Sequence, residues 1–137
     1  MSTIKVNNLQ NASGGSNSTP EQIQQGRAKA WADFDGSVSD PNSTLNGHNV
    51  NSITDNGSGD YTISFTNSLA NANYAVLGFG HDDSSGNNGY VYALKSNSNA
   101  WRSGTYYTTS SARVTFGYAG GSGLVDMKRV QVVVFGD

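Results

Sequence analysis

The stretch NVNSITDNGSGDYTISF, Asn49 to Phe65, decides the fold class. Tyr61, Ile63 and Phe65 alternate with Thr62, Ser64 and Thr66, the period-two pattern of a strand with one dry face and one wet face. Val50 to Thr54 supplies a second strand. The connection from Asp55 to Asp60, DNGSGD, offers residues that tolerate positive φ and bond their own backbone, so the product is a β-hairpin. A hairpin alone is marginal in water, and its apolar face, Ile53 with Tyr61, Ile63 and Phe65, requires a second layer from elsewhere in the chain.

Working outward, the other strand-like segments supply that layer. Ala28 to Phe34 reads as the first strand of the domain, Tyr74 to Gly80 as a strand whose small residues admit a close neighbour, and Tyr90 to Lys95 as its antiparallel partner. Arg113 to Tyr118 alternates cleanly, and AGGSG, Ala119 to Gly123, is a turn. The closing strand, Val125 to Phe135, is the most apolar segment. Val132, Val133, Val134 and Phe135 are consecutive, which predicts burial of both faces at that end. Asp35 to Gly47 reads as loop, with a turn signal at Asp40-Pro41-Asn42. Short strands at this spacing specify an all-β fold, a small antiparallel sandwich or barrel over residues 27–137.

Residues 1–26 have a different character. Beyond Ile4-Lys5-Val6, the run NNLQNASGGSNS has almost nothing to bury and reads as an extended arm. It ends in one short helix: Thr19 caps, Pro20 takes the first helical position, Gln22 completes a capping box and Gly26 stops the turn.

Composition narrows the function classes. The 137 residues include only 13% charged residues and a formal net charge of -2, so the chain lacks the basic footprint of nucleic-acid binding. The hydrophobic content, 35%, is low for a domain that stands alone, which points to neighbours that complete it. No cysteine is present, which removes disulfides, sulfur-ligated metals and thiol catalysis. No apolar run reaches the length of a membrane span, and MSTIKVNNLQ lacks the apolar stretch of a signal peptide, so no membrane insertion is expected.

Candidate chemistry is sparse. His81-Asp82-Asp83 is the one cluster with acid, base or ligand potential, but only His48 offers a second imidazole and no spacing joins them; Asp residues at a loop tip serve turns. DNGSGD departs from a calcium loop, since Gly57 and Gly59 occupy ligand places. No nucleophile elbow occurs, no pair is singled out among Asp33, Asp35, Asp55, Asp60, Asp82, Asp83 and Asp126, and no glycine cluster precedes a helix as a phosphate cradle does. Neither metal nor cofactor is expected, and no catalytic residue. Trp101, Arg102, Tyr106 and Tyr107 lie in a polar segment, where aromatics either stack on a sugar face or fold inward as core.

Three segments carry a family likeness: IKVNNLQNASGGSNSTPEQIQQGRAKAWADFDG from Ile4, NVNSITDNGSGDYTISFTNSLANANYAV from Asn49, and VQVVVFG from Val130. They resemble the short structural modules of tailed-phage virions, chiefly tail-fibre and related appendage proteins of marine and cyanobacterial phages. The resemblance implies a β-rich homotrimer that works in assembly and host attachment, with other virion proteins and host-surface polysaccharide as partners and the virion as its location. A head decoration protein that binds the capsid is the alternative, and a small carbohydrate-active tail enzyme a third reading. On this basis Ile4, Val6 and Leu9 of the arm are the expected attachment residues. The expected receptor contacts are His81, Asp82, Asp83, Trp101, Arg102, Tyr106 and Tyr107, because the segment from His81 to Ser111 departs from the family pattern and loops on a rigid scaffold vary freely.

Overall fold

A computed structural model describes residues 5–15, 17–81, 106–117 and 123–136. The protein is all-β, with antiparallel sheets and one helix among the described residues. Strands β1 (Leu9–Gln10) and β2 (Asn17–Ser18) pair as a minimal ladder, and α1 (Pro20–Gly26) follows. Thr19 Oγ1 accepts from the Gln22 N–H while the Gln22 side chain accepts from the Thr19 N–H, the reciprocal cap expected of this sequence. No described residue before Ala30 is buried.

The body is two sheets facing each other across one core. The larger has the order β4 (Asn46–His48), β3 (Ala30–Phe34), β9 (Arg129–Phe135), β7 (Ala75–His81); the smaller has the order β5 (Val50–Gly57), β6 (Asp60–Phe65), β8 (Ser111–Thr115). The expected hairpin of β5 and β6 forms, but its turn is shorter than the six residues Asp55 to Asp60: Asp55 to Gly57 extend β5, Asp60 opens β6, and Ser58-Gly59 alone turn between them, with Gly57 at φ 125° and Gly59 at φ 62°. Gly59 is also hemmed in: a side chain there would lie 2.5 Å from the Phe116 carbonyl oxygen.

The core joins both sheets. From the smaller come Ile53, Tyr61, Ile63, Phe65, Ala112 and Val114; from the larger come Ala30, Ala32, Phe34, Val130, Val132 and Val134. The Phe34 and Tyr61 rings meet edge-on at 5.2 Å. Tyr61 is fully buried, and its hydroxyl donates to the Gly36 carbonyl (2.9 Å) and toward Asp126 Oδ1 (3.1 Å), which accepts from the Gly59 N–H. Burial and the nearby Asp126 carboxylate push the Tyr61 hydroxyl well above the ordinary tyrosine range. Tyr74 is held likewise, its hydroxyl shared between the carbonyls of Thr108 (3.0 Å) and Ser111 (2.8 Å), and burial pushes it up to about 12.

Several expectations change. The closing strand starts at Arg129, not Val125; Met127 before it is a core plug, fully buried. Its two faces are unequal: Val130, Val132 and Val134 are buried, whereas Gln131 is exposed and Val133 and Phe135 are half-buried. The reason is layering, since the second sheet covers one side of β9 and no described element covers the other. Asp35 to Gly47 is more than loop, because Asp40 caps a 3-10 turn at Pro41–Thr44 and β4 follows. β7 pairs with β9; the expected partner of β7, Tyr90 to Lys95, lies outside the described residues.

Candidate functional site

The functional geometry is concentrated on the outer face of the four-stranded sheet. Cross-strand register sets it in rows: His48, Trp31, Val133 and Leu77 form one, and Asn46, Asp33, Gln131 and Phe79 the next. Leu77 is 47% exposed and Phe79 50% exposed, with Trp31 and Val133 half-buried beside them. Pleating explains which residues arrive here: once Val76, Gly78 and Gly80 point inward, Ala75, Leu77 and Phe79 must point outward. Gly80 is needed because Met127 and Phe116 fill the space beneath it; a side chain there would lie 2.7 Å from Met127 Cγ.

At one end the face turns polar. Arg129 grips Asp33 through both guanidinium edges, Nε to Oδ1 at 3.1 Å and Nη2 to Oδ2 at 2.6 Å, and the pair holds the Asp33 carboxyl below the usual carboxylate range. His81 lies across the ladder from Arg129, and a cleft of about 430 Å³ opens here, with Asp35, Thr44 and Asn46 on its far side. Asp35 is occupied as a turn former, accepting from the Ser37 N–H and hydroxyl. The cleft's carboxylates are both engaged, Asp33 by Arg129 and Asp35 as a turn former, and Lys128 also lines it. Among the described residues, no three His, Asp or Glu side chains gather as a metal site.

The residues singled out in the sequence are dispersed. His81 is exposed at the end of β7. Tyr106 lies under the Arg113 guanidinium, 5.4 Å from its carbon to the ring centre, and Arg113 in turn is paired with Asp60 at 2.6 Å. Tyr107 is half-buried against the core, its ring 5.4 Å from that of Tyr74, and burial raises its hydroxyl. Tyr107 therefore belongs to the packing. His81 sits on the four-stranded sheet and the two tyrosines lead into β8 of the other, so the structure assigns them to separate sheets. Asp82, Asp83, Trp101, Arg102 and Ile4 lie outside the described residues. Val6 and Leu9 are exposed and, with Ile23, line a groove of about 470 Å³ between the arm and α1.

Sequence reasoning missed the outward patch of Trp31, Leu77 and Phe79, which spans two adjoining rows, and the Asp33–Arg129 pair. The alternation of glycine with large apolar residues at Leu77-Gly78-Phe79-Gly80 was the readable signal, since only the glycine side fits against bulky core residues. No helix among the described residues is long and apolar enough to cross a membrane. Comparison with family models, with curated proteins and with solved structures finds no match to this chain.

Proposed function

We propose that the protein is a structural component of a bacteriophage virion, a homotrimeric tail-fibre or appendage part with no catalytic role. The observation that carries the reading is the segregation of the N-terminal segment: none of its described residues is buried, yet Val6, Leu9 and Ile23 present apolar side chains around one groove. Such a segment adds nothing to the core, and ordering it becomes favourable when a partner supplies the missing surface. The arm of residues 1–26 is then the attachment element and the β body the displayed part. The sparsely charged, Ser-, Thr- and Asn-rich composition suits a module that packs among other proteins and meets hydroxyl-rich host surface.

Deleting residues 1–18 tests the reading. Thermal stability should stay near that of the full chain, while incorporation into particles should be lost. Truncated protein found in particles at full occupancy would overturn the attachment role. Cryo-electron microscopy of intact particles distinguishes a tail position from the alternative, decoration of the capsid.

A further inference from the structure

Where a strand packs a core on one side and meets water on the other, its larger apolar residues turn inward. β7 does the reverse, with Val76, Gly78 and Gly80 inward and Ala75, Leu77 and Phe79 outward. β3 shows it in part: Ala30, Ala32 and Phe34 face the core, while Trp31, the largest residue of the strand, faces out. At Gly80 the smallness inside is accounted for by Met127, which precedes β9, and by Phe116, which follows β8 of the other sheet. The bulk outside serves no contact within the two-sheet core. Chance exposure of one apolar residue needs no explanation, but adjoining rows of register-paired positions form a patch, and such patches mark interfaces.

Charge selects the occupant. In a rotationally symmetric contact each residue near the axis meets its own copies, so an uncompensated charge would repel itself. A partner of opposite sign would instead be matched by charge of one sign on this face. Within the strands of this sheet the ionisable residues are His48 on β4, His81 on β7, and Asp33 and Arg129, which cancel each other in one bidentate pair; Lys128, just before β9, lines the cleft at the polar end.

We infer that the outer face of the four-stranded sheet is a contact between copies of this chain, centred on Trp31, Leu77 and Phe79. The inference rests on the oligomeric part of the proposed function and adds the surface that makes the oligomer. Three copies presenting this face to a common axis bury the apolar rows and leave the polar outer face of the smaller sheet to solvent.

The test is sedimentation velocity on the full chain as wild type, as Leu77→Ser with Phe79→Ser, and as Thr54→Ser on the opposite sheet. The wild type and Thr54→Ser should sediment as trimers at micromolar concentration. The double variant should be a folded monomer by circular dichroism, with self-association weakened about a hundredfold or more. Should the double variant misfold, the milder Leu77→Thr should still raise the dissociation constant about tenfold. A monomeric wild type, or variants that associate as the wild type does, overturns the inference. A monomeric wild type destabilised by Leu77→Ser does so too, and assigns the cover to the chain itself. Absence of the wild-type protein from particles while the trimer persists would sink the virion reading alone.

Discussion

The two outward sheet faces of this protein were built under the same composition and reached opposite solutions. On the three-stranded sheet the outward rows read Ser52, Ser64, Ser111 and Thr54, Thr62, Arg113, with the Asn56 amide donating to Thr62 Oγ1 at 2.9 Å. That is a face satisfied by water and by its own hydroxyls. On the four-stranded sheet the corresponding rows carry Trp31, Val133, Leu77 and Phe79. Since both sheets share one core, the difference cannot be charged to folding. On the inference drawn above, one face is terminal and the other is completed by further copies.

The largest effect should come from the ground the two faces share. Ile63 is fully buried between the sheets, and Ile63→Ala should cost about 2–5 kcal/mol of stability, read as a large fall in denaturant midpoint. A loss near zero would mean the sheets do not share a core, and the comparison of their outer faces would lose its footing.

A smaller effect should appear on raising pH. Tyr74 carries a proton in the folded state up to about 12, against an ordinary value near 10, and Tyr61 is raised as well. A raised value means the folded state binds the proton more tightly than the unfolded chain. The associated stability is fully present below about pH 10 and declines as pH climbs toward 12. Melts between pH 8 and 12 should be flat and then fall, and Tyr74→Phe should shrink the fall. A fall complete below pH 9 would contradict the buried hydroxyls.

The smallest effect belongs to the Asp33–Arg129 ion pair on the apolar face. Asp33 is lowered by Arg129, so its contribution is present above the ordinary carboxylate value and lost as pH drops through the lower folded value. The pair is open to solvent, and Asp33→Asn should leave the melting temperature of dilute protein almost unchanged. In concentrated protein the same change leaves Arg129 uncompensated and should weaken association, more at low salt than at high. Equal behaviour at both concentrations would remove the charge argument for a symmetric contact.

How much of this was readable beforehand follows from which residues announce themselves. The hairpin was legible because Tyr61, Ile63 and Phe65 alternate against Ser and Thr, and because DNGSGD leaves the chain one thing to do. The helix was legible from Thr19, Pro20 and Gln22, whose chemistry is local. The closing strand misled, since Val132 to Phe135 reads as doubly buried and only the packing of layers reveals a single covered side. The apolar face was illegible for a related reason: Trp31 sits 46 positions before Leu77 and 102 before Val133, and only register across β3, β9 and β7 makes them neighbours. The Asp33–Arg129 pair, equally distant in sequence, could be found only in three dimensions.

The chain has no cysteine, so a thiol placed on either face is a single, clean reporter. Thr54→Cys on the polar face and Leu77→Cys on the apolar face should be compared by their rates of reaction with a maleimide, across a dilution series. The account predicts that Thr54→Cys reacts rapidly at every concentration, whereas Leu77→Cys is protected in concentrated protein and becomes as reactive as Thr54→Cys on dilution. Equal, rapid reaction of both thiols at all concentrations would contradict it.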